Sequence, residues 1–126
     1  MIDHCGILVA KEQFDDIVKF YVATLEPLGY KKLHEYAGMA VGLGEDGADF
    51  WIGAKGDAGG PSDRHIAFRA KDRATVKKFY DAAMTAGAKD NGEPGPRAHY
   101  HENYYGAFIL DPLGNNIEAC CHHPEV

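Results

Sequence analysis

The feature that most constrains the fold of this chain is a weak internal repeat. Each copy opens with a short strand-like run in which a histidine stands second, ahead of apolar residues. The two runs are 3–9 and 64–70, and their histidines are His4 and His65. Because a repeated unit folds as a repeated module, the chain is predicted to consist of two copies of one supersecondary motif.

An amphipathic helix is predicted after each run. In the first copy, apolar residues recur at spacings of three, four and seven and so form one helical stripe: Phe14, Ile17, Val18, Tyr21, Leu25 and Leu28. The second helix has the stripe Val76, Phe79, Tyr80 and Ala83. Asp72 is its expected N-cap, and Gly87 is expected just beyond its end.

Three more strands are predicted behind each helix. They cover about 31–36, 39–43 and 49–54 in the first copy, and about 97–101, 105–110 and 115–121 in the second. The predicted fold class is therefore α+β, with two βαβββ modules whose curved mixed sheets surround a concave cavity. We expect one domain, made of module one at about 1–55, a glycine-rich linker at about 56–63, and module two at about 64–121.

Alternation of side chains across a strand predicts which residues face the cavity. The residues expected to pack on the helices are Cys5, Ile7, Val9, Ile66, Phe68, Ile117 and Ala119. This arrangement directs His4, His65 and Glu118 towards the concave side. Two imidazoles and a carboxylate form a facial triad, so these residues are predicted to bind a divalent metal, which could be Zn²⁺, Ni²⁺, Mn²⁺ or Fe²⁺. Glu118 is also the predicted catalytic residue, either as a ligand or by moving a proton.

Four further residues are predicted to contact substrate. Trp51 stands four residues after Gly47, as Glu118 stands four after Gly114, so Trp51 is the counterpart of Glu118. It is interpreted either as a stacking platform or as an aromatic that fills the space of a fourth ligand. Arg97, His101 and Tyr104 lie on or beside a predicted strand, and alternation places Arg97, His99 and His101 on one face of it. That face is either a substrate-orienting wall or a solvated edge. His122 and His123 are interpreted as an exposed tail.

Composition excludes several classes of partner. The net charge is −6 and the charges are dispersed, so no basic stripe is available for nucleic acid. The sequence has no apolar run long enough to cross a membrane and no signal-like N-terminus. Three cysteines, two of them adjacent, fit reduced thiols. We therefore expect a cytoplasmic protein that binds neither nucleic acid nor membrane.

The chain resembles the vicinal-oxygen-chelate superfamily, which includes glyoxalases, bleomycin-resistance proteins and extradiol dioxygenases. The resemblance covers almost the whole chain and is most specific at 64–68 and 104–118. It implies a small single-domain member whose metal ligands come from the first and last strands of each module, which maps them to His4, Trp51, His65 and Glu118. Trp51 cannot ligate, so the sequence departs from the four-ligand pattern of glyoxalase I.

Two functions of different kinds follow. The resemblance implies a metal-dependent lyase, isomerase or extradiol-type dioxygenase that chelates a small substrate through vicinal oxygens. The alternative is a binding or resistance protein of the same fold that holds a planar or cationic small molecule without metal. The resemblance also implies a homodimer, and the sequence leaves open whether the modules pair within one chain or across the dimer.

Overall fold

A computed structural model describes residues 1–56 and 63–124. These residues belong to two compact units, with 1–56 in the first and 63–124 in the second. Most of the predicted linker at about 56–63 lies outside the described residues. Within the described ranges, no helix is both long enough and apolar enough to cross a membrane.

The first unit is a four-stranded mixed sheet with one long helix. Its elements are β1 (Cys5–Ala10), α1 (Phe14–Leu25), β2 (Lys31–Tyr36), β3 (Ala40–Gly44) and β4 (Ala48–Lys55). The strand order is β1-β4-β3-β2, with β1 parallel to β4 and the other pairs antiparallel. The predicted stripe buries Ile17, Tyr21 and Leu25 of α1, and the Tyr21 ring lies 5.0 Å from that of Phe50 on β4.

The second unit repeats this order. Its elements are β5 (His65–Arg69), α2 (Arg73–Thr85), β6 (Lys89–Pro96), β7 (Tyr105–Leu110) and β8 (Asn116–Cys121). The strand order is β5-β8-β7-β6, and again the first pair alone among its three strand pairs is parallel. Asp72 caps α2 by accepting a hydrogen bond from Thr75 N at 2.8 Å, and Gly87 has φ +105°. The predicted α+β class and βαβββ order are confirmed.

Strand registers support the predicted equivalence of the two copies. Gly6 pairs with Trp51 in the first unit, and Ala67 pairs with Glu118 in the second. His4 lies two residues before Gly6, as His65 lies two before Ala67. The burial pattern is less regular, because Cys5 is exposed at the start of β1 instead of packing on the helix.

The predicted strand at 97–101 is wrong. The structure places β6 at 89–96 and leaves 97–104 as a turn segment between β6 and β7. The sequence of β6 contains Gly92, Pro94 and Gly95, residues that usually mark turns. They are accommodated because β6 is the edge strand and its pairing with β7 shifts register twice. Arg97, His99 and His101 therefore do not share the face of a strand.

A buried carboxylate organises the turn from β7 to β8. Asp111 Oδ1 accepts from Leu113 N at 2.9 Å and Asn115 N at 2.8 Å, and Asp111 Oδ2 accepts from Asn115 Nδ2 at 2.8 Å. Asn115 Oδ1 in turn accepts from Arg64 N at 3.2 Å. Gly114 completes the turn with φ +93°. The network joins the residue that precedes β8 to the residue that precedes β5.

Replacing Asp111 with alanine should lower the free energy of unfolding by about 2–4 kcal/mol, because several buried donors lose a charged acceptor. Urea denaturation followed by circular dichroism would measure the change. Asp46, which is exposed in the corresponding turn of the first unit, provides the control, and Asp46→Ala should change the free energy by less than about 0.5 kcal/mol. Equal effects of the two substitutions would contradict this role of Asp111.

Candidate functional site

The second unit brings His65 and Glu118 together. His65 Nε2 lies 3.1 Å from Glu118 Oε1, with the imidazole half-exposed and the carboxylate buried. His65 Nδ1 lies 3.1 Å from the carbonyl oxygen of Asn116. A carbonyl only accepts hydrogen bonds, so Nδ1 carries the proton and donates it. In the neutral imidazole, the lone pair of Nε2 then faces the carboxylate.

Tyr104 holds the other oxygen of the same carboxylate. Its hydroxyl donates a hydrogen bond to Glu118 Oε2. Burial, followed by this hydrogen bond, raises the pKa of the Tyr104 phenol well above its usual range, so the hydroxyl remains a donor at any physiological pH. The two oxygens of Glu118 thus have different partners, and Oε1 is the one that faces His65.

Gly106 on β7 provides the space for this contact. A Cβ atom at this position would lie 3.2 Å from Tyr104 Cε1 and 3.3 Å from Glu118 Oε2. Both distances are shorter than ordinary van der Waals contact. A side chain on Gly106 would therefore push the phenol and the carboxylate apart or displace both.

Phe108 forms one wall beside His65. It is the β7 partner of Glu118, and its ring stacks on the His65 imidazole with centroids 6.3 Å apart. The Arg97 guanidinium lies 5.4 Å from the centroid of the Phe108 ring. Arg97 also donates to the carbonyls of Glu93 at 2.8 Å and Gly95 at 2.9 Å, so its guanidinium ties the turn segment to β6.

His101 does not contact the His65–Glu118 pair directly; it contacts His122, the residue that follows β8. Its Nε2 is 2.7 Å from Nδ1 of His122, and its Nδ1 accepts from Asn103 N at 3.2 Å. His122 Nε2 is 3.8 Å from Cys120 Sγ. Burial raises the pKa of the Cys120 thiol, which favours the neutral form. His122 is exposed as expected, yet its hydrogen bond with His101 shows that it is more than part of a tail.

The first unit places Trp51 in an aromatic cluster. Its indole stacks on His34, with centroids 5.7 Å apart, and on Tyr36, with centroids 6.3 Å apart. The indole occupies space above Gly42, where a Cβ would lie 2.8 Å from Trp51 Cη2. His4 precedes β1, and its Nδ1 lies 2.6 Å from Asp3 Oδ1.

No group of three metal-binding side chains occurs among residues 1–56 and 63–124. His65 and Glu118 form a pair of possible ligands within the second unit. A cavity of about 680 Å³ lies elsewhere in that unit and does not include them. It is lined by Lys71, Asp72, Arg73, Ala74, Lys77, Cys121, His123 and Pro124.

Sequence reasoning missed Phe108 and Gly106, and it interpreted His122 as part of an exposed tail. Alternation along β7 could have identified both of the missed β7 residues. Phe108 pairs with Glu118, and Gly106 lies two residues before Phe108 and so faces the same side of the sheet. His122 gave no comparable signal, because its partner lies in a turn segment that was predicted to be a strand.

The chain matches the family described as Glyoxalase/Bleomycin resistance protein/Dioxygenase superfamily over residues 1–119. No curated protein sequence matches it. Solved structures share the fold at low sequence identity. A glyoxalase/bleomycin resistance protein from Albidiferax ferrireducens T118 is 22% identical, with 94% of this chain and 97% of that chain covered and a TM-score of 0.74.

Two other structures carry more specific names. The lactoylglutathione lyase from Agrobacterium tumefaciens is 17% identical, with 96% of this chain and 92% of that chain covered and a TM-score of 0.67. The fosfomycin resistance protein FosX from Mesorhizobium loti is 15% identical, with 98% and 92% covered and a TM-score of 0.69. At these identities, the likeness shows the fold.

Substitution of Gly106 by alanine should destabilise the protein by about 1–3 kcal/mol through overpacking against Tyr104 and Glu118. Urea denaturation would measure it, with Gly47→Ala as the matched control because a Cβ at Gly47 meets nothing within 4 Å. In a Tyr104→Ala background, the penalty at Gly106 should shrink. An unchanged penalty in that background would show that the phenol is not what the new methyl group meets.

Proposed function

Because the chain belongs to the glyoxalase/bleomycin resistance protein/dioxygenase superfamily, we propose that it is a metal-dependent enzyme. Its substrate, in this proposal, is a small molecule that binds the metal through two adjacent oxygens. The observation that carries the proposal is the approach of His65 Nε2 to Glu118 Oε1 at 3.1 Å. The family alone does not supply this argument, since the fold also supports binding proteins.

The chemistry of this pair fits a divalent cation. When His65 is neutral, its Nε2 lone pair and a carboxylate oxygen are both acceptors, and they repel each other unless a proton or a cation lies near both. Two neighbouring ligands of one ion, each bound at about 2.0–2.2 Å, are separated by roughly 3 Å, which is close to the distance found. His65 Nδ1 donates a hydrogen bond to the carbonyl oxygen of Asn116. Metal-binding histidines are commonly oriented by such a hydrogen bond from the nitrogen that does not bind the metal.

We assign the third ligand to His4, the pseudo-equivalent of His65 in the repeat. Its support is the strand register, which matches Gly6 to Ala67 and Trp51 to Glu118. Two histidines and one carboxylate would leave coordination positions for substrate oxygens.

A bound Zn²⁺, Ni²⁺, Mn²⁺ or Fe²⁺ would polarise the substrate oxygens, and iron would add redox chemistry. Glu118 Oε1 is the atom that ligates or takes up a proton, because Oε2 accepts from Tyr104. The proposed substrate contacts are those of Arg97, His101, Tyr104 and Trp51. Phe108, which stacks on His65, would keep water from one side of the imidazole.

Two reaction classes remain within this proposal. Proton transfer next to a chelated oxygen would give lyase or isomerase chemistry, for which Glu118 is the proton carrier. Ring cleavage by an extradiol-type route would use the same three ligands around iron, with dioxygen as the oxidising co-substrate. The proposal also includes a cytoplasmic location and a homodimer.

Protein purified without added metal should contain one divalent ion per chain, measured by elemental analysis. His65→Ala and Glu118→Gln should each weaken binding of the identified ion by more than about 100-fold in calorimetry, because outer contacts alone contribute 10–100-fold. His99→Ala is the control, since the His99 ring packs on Tyr100 and, among residues 1–56 and 63–124, makes no hydrogen bond or ring contact with His65 or Glu118. Retention of the ion by His65→Ala would contradict the assignment.

The Trp51 cluster favours a second candidate, a binding protein for a planar molecule. His34 and Tyr36 alternate on β2, so both rings reach the same face as the indole. Tyr36 is 59% exposed and Leu8 on β1 is 56% exposed. Exposed, near-parallel rings are suited to stacking a flat ligand, and cationic rings would gain further from the indole face.

Trp51 is the single tryptophan, so its fluorescence reports directly on this cluster. A planar acridinium cation should quench it saturably in protein treated with a chelator, if the second candidate is correct. Equilibrium dialysis should show that Trp51→Phe keeps most of the binding and Trp51→Ala loses about tenfold or more, given the value of one stacking contact. Binding that requires metal, or that survives Trp51→Ala, would eliminate this candidate.

A further inference from the structure

The segment 97–104 is fastened to the end of β8 by two histidines. His101 Nε2 lies 2.7 Å from His122 Nδ1, and the two ring planes are within 19° of each other, with centroids 5.0 Å apart. His122 directly follows β8, the strand that carries Glu118. We call the hydrogen-bonded pair of His101 and His122 the imidazole clasp.

The direction of each hydrogen bond in the clasp follows from its neighbours. Asn103 N can only donate, so His101 Nδ1 accepts and has no proton. The proton of a neutral His101 is therefore on Nε2, which donates to His122 Nδ1. The proton of His122 is then on Nε2, towards Cys120 Sγ at 3.8 Å. In this arrangement each ring nitrogen has a partner.

This pattern argues against a second metal site at the clasp. An ion bound to His101 Nε2 would require the proton to move to Nδ1, where Asn103 N already donates. Metal-binding histidines normally donate from the second nitrogen, as His65 does to Asn116. The clasp is thus suited to hold a conformation.

The imidazole clasp holds the side chain of Tyr104 in place. The phenol ring packs edge-to-face against His101 at 5.4 Å and against His122 at 5.1 Å. In the backbone, Tyr104 N donates a hydrogen bond to the carbonyl oxygen of His101 at 3.2 Å. Beyond these rings, the Tyr104 hydroxyl reaches Glu118 Oε2. The clasp and the carboxylate therefore contact opposite parts of one side chain.

We propose that His101 and His122 are positioning residues that act through Tyr104 on Glu118. By fixing the phenol, the clasp determines which carboxylate oxygen is bound to Tyr104 and which faces His65. This inference rests on the proposed function, because it concerns the orientation of a proposed metal ligand. It gives His101 a positioning role in addition to its proposed substrate contact.

The test compares His122→Ala with His122→Asn, whose Oδ1 can accept from His101 Nε2 as Nδ1 does. His123→Ala is the control at the adjacent position. Mn²⁺ binding is followed by electron paramagnetic resonance of the free ion, because manganese is at the weak end of the divalent series and competes least for stray imidazoles. Hydrogen exchange of the Asn103 amide reports on the clasp without metal.

His122→Ala should weaken Mn²⁺ binding about tenfold, as expected for an outer contact, and speed exchange of the Asn103 amide about five- to tenfold. His122→Asn should restore both, and His123→Ala should change neither. In a Tyr104→Phe background, His122→Ala should have no further effect on Mn²⁺ binding, because the link to Glu118 is already broken.

The proposal is overturned if His122→Ala binds Mn²⁺ like the unmodified protein, if His122→Asn fails to rescue, or if the effect persists in full with Tyr104→Phe. If the unmodified protein binds no Mn²⁺ or other divalent ion, the proposed function fails instead. In that case the exchange of the Asn103 amide still tests the clasp. Unchanged exchange in His122→Ala would contradict the clasp, and faster exchange that His122→Asn restores would support it.

Discussion

The second unit depends on the buried carboxylate of Asp111. Because it accepts three hydrogen bonds within a five-residue turn, it determines where β8 begins. Through Asn115, the same network reaches the backbone of Arg64. The residue after Arg64 is His65, and the third residue after Asn115 is Glu118. A single turn thus places both proposed ligands at defined points on neighbouring parallel strands.

The two units have the same topology and different chemistry. At the position where the second unit carries Glu118, the first carries Trp51, and the strand neighbours differ accordingly. Gly42 makes room for the indole, whereas Gly106 makes room for a phenol and a carboxylate. Burying a carboxylate is costly unless it is hydrogen-bonded or paired, and the hydrogen bond that the Tyr104 hydroxyl donates to Glu118 Oε2 lowers that cost. The indole needs only neighbouring rings, which His34 and Tyr36 provide.

Sequence patterns predicted the elements that bury apolar residues, because in such elements the apolar residues recur every second residue in a strand or every 3.6 residues in a helix. They failed at β6, whose residues Lys89–Pro96 have no alternation; its strand character comes from pairing with β7, which a local pattern cannot show. The same limit applies to the site. Alternation pointed to His65 and Glu118, but the contacts of Tyr104 and His122 depend on the conformation of the segment 97–104. No periodicity encodes such a conformation.

His65 is aligned by the carbonyl of Asn116, which lies on the same strand as Glu118 and two residues before it. One strand therefore supplies the carboxylate and also orients the imidazole. If β8 shifted by a single residue, apolar Ile117 or Ala119 would replace Glu118 and the carbonyl would leave His65. A register shift would therefore separate His65 from both Glu118 and the Asn116 carbonyl at once, so the geometry of this pair is formed in an all-or-none manner.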